Sequence, residues 1–315
     1  MRGISLFLRR ACAVVVLAVG LVWLPQADDS VLAQGGGPTQ PAASAPLPTG
    51  DQIIAAYEEA LGGAAALAKV TTRTTRTRRI VDIGTPSDHV LVRHSKRNPG
   101  GGPLSIMNHN SLDGQFLYWL NGCDGETGWR RGQNDQTAAQ STTTGGICEH
   151  EQAFYGYFVL DADRMRRNFQ RLEVKGIYTI VPTEPGPFGQ LAGGKGPDLV
   201  PPGARDAYLV LGIPAGKDSP VWLYFDTQTG LLLRRAFAGE GPTPVPAGSP
   251  PRITDFIQYR EVGDGTRMPF QFVTIGPNAA RVRGVHYSVV DSAPIDDEVF
   301  VRPRVASRQD KGLLP

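Results

Sequence analysis

Any chemistry in this chain would have to start from its histidines, cysteines and acidic pairs, and these are few. The 315 residues hold five histidines and three cysteines. Glu149-His150-Glu151 has the composition of a metal corner. Adjacent residues on a helix face different ways, however, so a solvated helix start is the expected reading. His89 and His94 stand at odd spacing on one predicted strand, hence on opposite faces. Asp296-Asp297 offers a carboxylate pair, for which turn and capping duty is expected instead. Gly193-Gly194-Lys195-Gly196 lacks the spacing of a phosphate loop and runs into Pro197 rather than a helix. No Gly-x-Ser-x-Gly elbow, His-Glu-x-x-His pair or Cys-x-x-Cys-His haem attachment occurs. The expectation is therefore no enzyme, no catalytic residue, no metal and no cofactor. A hydrolase site assembled in space from distant residues is the enzymatic alternative.

The cysteines speak to compartment instead. Arg2, Arg9 and Arg10 precede the apolar run Ala11–Leu24, and Val31-Leu32-Ala33 ends in a small residue suited to signal peptidase. Residues 1–33 are expected to be a cleaved signal peptide, which makes the protein exported, periplasmic or envelope-associated. The apolar run is short for a membrane span and ends at Pro25. The Arg9-Arg10 pair leaves the export route open. Cys12 leaves with the signal, and the remaining Cys123 and Cys148 form an even pair in an oxidising compartment, which predicts a disulfide. Closing that loop contributes about 3 kcal/mol in the chain-entropy model. Two separate buried thiols are the alternative. A formal net charge of +2 carries no whole-chain signature of nucleic-acid binding, and none is expected.

The elements follow from periodicity and punctuation. Residues 34–50 are rich in Gly, Pro, Ala and Gln and read as a disordered tether. Ile53, Ile54, Tyr57 and Leu61 recur at helical spacing, with Thr49 or Asp51 as cap and Gly62-Gly63 as stop; Ala64–Val70 follows as a second short helix. Thr71–Arg97 reads as two strands about a Gly84–Asp88 turn. Arg73, Arg76, Arg78 and Arg79 on the first of these are expected to form a solvated polar face. Leu104–His109 and Gln115–Leu120 continue the strands, and 121–148 is expected to be a long loop held by the disulfide. Glu149–Gln170 is the other helical region, with Phe154, Tyr157, Phe158, Met165 and Phe169 on its apolar face. Strands are expected at Arg171–Val181, Asp206–Leu211, Arg252–Tyr259, Met268–Ile275 and Arg281–Val290. The clearest signal is the hairpin Val221–Phe225 and Leu231–Leu233 about Asp226–Gly230. Pro182–Pro202 and Gly239–Pro251 read as irregular excursions, and Asp296–Phe300 as a turn pinning Phe300. The ordered domain should span 51–303, followed by a flexible tail, 304–315.

These elements predict an α+β, mainly β fold. An antiparallel meander bent into a curved sheet, with helices packed on its concave face, buries its apolar runs economically. An interior that the helices cover incompletely would leave an apolar cavity. Candidate lining residues, chosen as large apolar side chains on predicted strands, are Leu117, Trp119, Leu223, Phe225, Phe256, Phe270 and Phe272.

The series from Leu61-Gly62-Gly63 through YFDTQTGLLLRR (Tyr224–Arg235), Asp255–Tyr259, Met268-Pro269-Phe270 and Asp296-Asp297-x-x-Phe300 resembles a family. It is similar to the LolA-like, outer-membrane lipoprotein-sorting periplasmic proteins, nearest their larger and poorly characterised relatives, over Asp51 to Pro303. The resemblance implies a half-barrel of antiparallel strands lidded by helices, with a hydrophobic interior that carries acyl chains without cofactor or covalent step. This chain is longer than the dedicated carriers and adds the tether and the Cys123/Cys148 pair, and no residue matches their lid-locking position. The expected function is a non-enzymatic binding protein for lipid or lipoprotein acyl chains, with an envelope protein as a further expected partner. A structural or interaction subunit with a filled core is the alternative.

Overall fold

Alternating apolar and polar residues, punctuated by Gly and Pro, leave most of this chain no stable option but extended strands paired edge to edge. A computed structural model describes residues 46–82, 87–97, 104–111, 119–124, 128–132, 166, 169–183, 198–200, 202–214, 220–237, 251–263, 265–276 and 281–300. Two helices come first, α1 (Gly50–Ala60) and α2 (Gly63–Lys69). The strands are β1 (Thr72–Asp82), β2 (Ser87–Lys96), β3 (Leu104–Ser111), β4 (Trp119–Asp124), β5 (Gly128–Gly132), β6 (Phe169–Ile180), β7 (Arg205–Pro214), β8 (Val221–Asp226), β9 (Leu232–Phe237), β10 (Arg252–Val262), β11 (Thr266–Ile275) and β12 (Arg281–Asp291).

They form one 12-stranded sheet in the order β5-β4-β3-β2-β1-β12-β11-β10-β9-β8-β7-β6. Neighbouring strands in this order pair antiparallel throughout. Two meanders, β1 to β5 and β6 to β12, are thus joined along β1 and β12. The successive strands β5 and β6 stand at opposite edges, so the sheet is open: a mainly β, curved half-barrel with helices on its concave face.

Two stretches differ from expectation. Within 121–148, Asn121–Asp124 completes β4 and Gly128–Gly132 forms β5, because pairing of β4 with β3 and of β5 with β4 satisfies backbone groups that a loop would leave to water. Phe169 and Gln170 open β6 rather than close a helix, and Phe169 packs over Gly212 of the neighbouring strand. The remainder of 149–168, apart from Arg166, lies outside the described residues.

Local chemistry explains the main boundaries. Thr49 and Gln52 form a reciprocal capping box at the start of α1: the Thr49 side chain accepts from Gln52 N at 3.2 Å, and Thr49 N donates to Gln52 Oε1 at 2.7 Å. The β8–β9 turn is organised by Asp226, whose carboxylate accepts from the backbone N–H groups of Gln228 and Thr229 at 2.9 and 2.7 Å. Gly230 closes it with φ +73, and a Cβ there would sit 2.9 Å from the Ala56 carbonyl oxygen of α1. A turn of 3₁₀ helix, Asp297–Phe300, buries Phe300 after β12, and Asp296 caps it through Glu298 N.

The core sits between α1 and the sheet. Ile53, Ile54, Tyr57 and Leu61 of the helical region pack with Val210, Leu223, Phe225, Leu232, Phe256 and Tyr259. Phe256 and Tyr259, three apart, would face opposite sides of a regular strand. Gln258 between them takes φ 55, which turns the backbone and brings both rings into one core.

Candidate functional site

Residues directly opposite each other on antiparallel strands point to the same side. The pairs Leu223↔Arg235, Arg235↔Thr254, Phe256↔Phe272, Phe272↔Gly284, Gly284↔Arg79 and Arg79↔His89 therefore trace a single face from β8 to β2. Leu223 and Phe256 share the core of Ile53, Ile54 and Tyr57, so this is the face that α1 covers. Its half over β7 to β11 is mainly apolar, interrupted by Arg235 and Thr254. Tyr57 meets Phe225 edge-on with ring centroids 5.4 Å apart, and the Phe272 ring lies directly over Gly284, where any Cβ would overlap it.

Towards β1 and β2 the same face turns polar and cationic. Arg73, Thr75, Thr77 and Arg79 alternate along β1, opposite Ser95, Arg93, Leu91 and His89 of β2. Arg73 is 3 %, His89 3 %, Arg93 7 % and Arg235 8 % exposed. Arginines are rarely buried this deeply without a task for the charge. Arg73 donates from Nε and Nη2 to both carboxylate oxygens of Asp291, at 2.6 and 2.7 Å, and from Nη2 to Thr266 Oγ1. The Arg235 guanidinium lies 5.8 Å from the centre of the Phe256 ring, where charge meets the apolar half.

His286 stands at the junction. Its Nδ1 is 2.7 Å from Thr77 Oγ1, and its ring tilts against Phe272 at 5.8 Å between centroids. The residue keeps some surface exposure. Burial of the ring, reinforced by the nearby Arg93 and Arg73 charges, still lowers its pKa to about 3. The imidazole is thus neutral at neutral pH.

The expected solvated arginine stripe on β1 is corrected by this geometry. Arg76 is exposed and Arg78 pairs with Asp88, whereas Arg73 faces the interior, because alternation sends odd and even positions to opposite sides. His89 and His94 do lie on opposite faces; His94 bonds Thr74 at 2.9 Å.

A cleft of about 530 Å³ opens between α1 and the β8–β9 turn. Ile53, Ala56, Ala60, Tyr208 and Phe225 supply its apolar wall, and Gln52, Glu59, residues 226–230 and Arg267 its polar rim. That volume is within the ~300–1,000 Å³ range of small-molecule pockets. Arg267 ties the helix end to β11: Nη1 donates to the Ala60 carbonyl at 3.1 Å and its backbone N to the Leu61 carbonyl at 2.9 Å.

The buried carboxylates hold strands together. Asp226 accepts from Arg205 Nε at 2.7 Å and Nη2 at 3.0 Å. Asp255 accepts from Arg234 Nε at 2.6 Å and from Thr183 N and Oγ1 at 2.7 Å. Among the described residues no group of three or more His, Cys, Asp or Glu is placed to hold a metal ion.

Of the residues singled out as lining, Leu223, Phe225 and Phe256 pack in the α1 core and Phe225 also walls the cleft. Phe270 is fully buried in a second cluster with Val262 and Met268, and Phe272 is half-buried at the edge of the first. Trp119 begins β4, and Leu117 lies outside the described residues. Cys123 on β4 is fully buried and disulfide-bonded; Cys148 lies outside the described residues. Residues 1–45 and 301–315, with the expected signal peptide, most of the tether and the tail, also lie outside them. Sequence reasoning missed Arg93, Arg235 and His286; the parity of Arg73 and Arg79 along β1 was the available signal.

The fold and site define an open antiparallel half-barrel with an amphipathic inner face. No family model matches the sequence, and no curated protein matches it. Among solved structures the chain is similar to LolA-like proteins. One is a putative outer membrane lipoprotein-sorting protein domain from Vibrio parahaemolyticus, at 9 % identity over 80 % of this chain and 97 % of that one, TM-score 0.46. A DUF1329 family protein from Desulfovibrio piger matches at 12 % identity over 81 % and 98 %, TM-score 0.48. A LolA superfamily protein from Nitrosomonas europaea matches at 8 % identity over 81 % and 99 %, TM-score 0.45.

Proposed function

We propose that this is a non-enzymatic, exported binding protein of the bacterial envelope that takes the acyl chain of a lipid or lipoprotein between α1 and the inner sheet face. One observation carries the reading: the cleft is continuous with the apolar core, since Ile53 and Phe225 belong to both. A chain entering there would extend the packing of α1 on β8 and β7. Domain 51–303 is the binding unit, its signal peptide is removed on export, and Cys123 pairs with Cys148 beside the sheet edge. Native mass spectrometry of protein purified from membranes without denaturation should show bound lipid, and a fluorescent fatty-acid probe should be taken up saturably. Absence of both would overturn the reading.

A further inference from the structure

We infer that the ligand is a zwitterionic amphiphile, with a primary ammonium a few bonds from a phosphate. Glu59 takes the ammonium and Arg267 the phosphate, at one end of the cleft rim, while an acyl chain lies along the apolar wall. This rests on the acyl-chain reading above and adds the class of head group.

The charged side chains of that rim are Glu59, Asp226 and Arg267. Asp226 is already engaged: it holds Arg205 through both carboxylate oxygens and accepts from the N–H groups of Gln228 and Thr229. The amide oxygens of Gln52 and Gln228 are taken as well, by Thr49 N and Arg205 Nη2. Glu59 is exposed, and among the described residues its carboxylate forms no ion pair or hydrogen bond. Arg267 is half-buried and its side chain commits only Nη1, to the Ala60 carbonyl, which leaves Nε and Nη2 as donors.

Both charges sit at the C-terminal end of α1. Arg267 is bonded to residues 60 and 61, and the Glu59 carboxylate lies 3.1 Å from where a Cβ on Gly63 would stand. No ion pair joins the two. A purely anionic head would be attracted by Arg267 and repelled by Glu59, and a purely cationic head the reverse. A head carrying both signs suits both: the guanidinium fork matches phosphate oxygens, and an alkylammonium offers three donors to a carboxylate. The negative end of the helix adds to the preference for the ammonium there. Ala60, Ala56 and Ile53 continue from these charges along one flank of α1, facing Phe225 and Tyr208, and supply the wall for the chain.

The discriminating experiment displaces a fluorescent fatty-acid probe from the intact mature protein with three monoacyl lipids below their micellar concentrations. 1-Palmitoyl lysophosphatidylethanolamine and 1-palmitoyl lysophosphatidylglycerol share chain and phosphate and differ in the ammonium; 1-monopalmitoylglycerol lacks both charges. The ethanolamine lipid should bind about fivefold tighter than the phosphoglycerol lipid, the size of one charge-assisted contact at an exposed site. Glu59→Gln should bring that ratio to about one, and Arg267→Gln should weaken both phospholipids relative to monopalmitoylglycerol. Where Arg267→Gln does not fold, Glu59→Gln, at an exposed position, decides. Equal affinities for the two phospholipids, a ratio that survives Glu59→Gln, or phospholipid binding indifferent to Arg267→Gln would overturn this inference and leave the acyl-chain reading standing. Failure of the probe and all three lipids to bind would overturn both.

Discussion

Tyr57 is the side chain through which α1 is anchored to the sheet, and replacing it tests the packing from which the site is built. It is fully buried, meets Phe225 edge-on, and its hydroxyl is hydrogen-bonded to that of Tyr259, which donates to the Leu232 carbonyl at 2.8 Å. Tyr57→Phe removes only the hydroxyl. Tyr259 keeps its bond to Leu232, so no buried donor is stranded, and the cost should be about 1 kcal/mol. Tyr57→Ala also removes the ring. Truncating a buried aromatic costs ~3–5 kcal/mol, of which the edge-on ring contact supplies about 1. The higher helix propensity of Ala returns a few tenths of a kcal/mol at a helical position. The expected net loss is about 4 kcal/mol, read from equilibrium urea unfolding at constant m-value, with amide exchange in α1 accelerated beyond that in β8. A loss below about 1 kcal/mol for the Ala variant, or equal losses for Phe and Ala, would refute the claim that this ring pins the helix. Because the proposed ligand enters beside the same helix, a folded Tyr57→Ala protein should also take up the fatty-acid probe faster.

Other perturbations have equally definite outcomes. Gly230→Ala places a Cβ at positive φ and 2.9 Å from the Ala56 carbonyl oxygen, and should cost about 2 kcal/mol or more in the same unfolding assay. For His286 the unfolded imidazole takes up a proton near 6.5, while the folded one resists until about 3. The unfolded state therefore binds more protons in that window, and stability falls as pH drops. By pH 5 the loss is at most about 2 kcal/mol, trimmed by the partial exposure of the ring, and His286→Gln should flatten the profile between pH 7 and 5. His94, also lowered by burial and by Arg76, acts in the same direction and sets the residual slope. Asp226 is subject to burial, which raises its pKa, but the Arg205 pair and the Thr229 and Gln228 donors outweigh this and leave it lowered. Its contribution is complete above the unfolded carboxylate pKa and is lost in stronger acid; Asp226→Asn should make unfolding below pH 4 less steep. Reduction of Cys123 should cost about 3 kcal/mol or less without loss of the fold. Peptide mapping under non-reducing conditions should recover Cys123 joined to Cys148.

Local rules were enough to read α1, α2 and most strands. Thr49, Gly62 and the 3.6-residue spacing of Ile53, Tyr57 and Leu61 specify α1, and Asp226 with Gly230 specify the β8–β9 hairpin, because caps and tight turns depend on neighbours in the chain. The low density of reactive side chains was equally readable, since it needs no geometry. Other features are set by long-range pairing. Asn121–Asp124 and Gly128–Gly132 look like loop and become strands because β3 offers the first a ladder and the first offers one to the second. Parity places Arg73 and Arg79 on one side of β1 but does not mark that side as the interior one. They face the interior because β1 pairs with β12, more than 200 residues away, in the register that sets Arg73 opposite Asp291 and Arg79 opposite Gly284. Composition determined that the chain would bury an apolar sheet, whereas register decided that the buried face would also carry charge. A one-residue slip would have turned every one of those arginines to solvent.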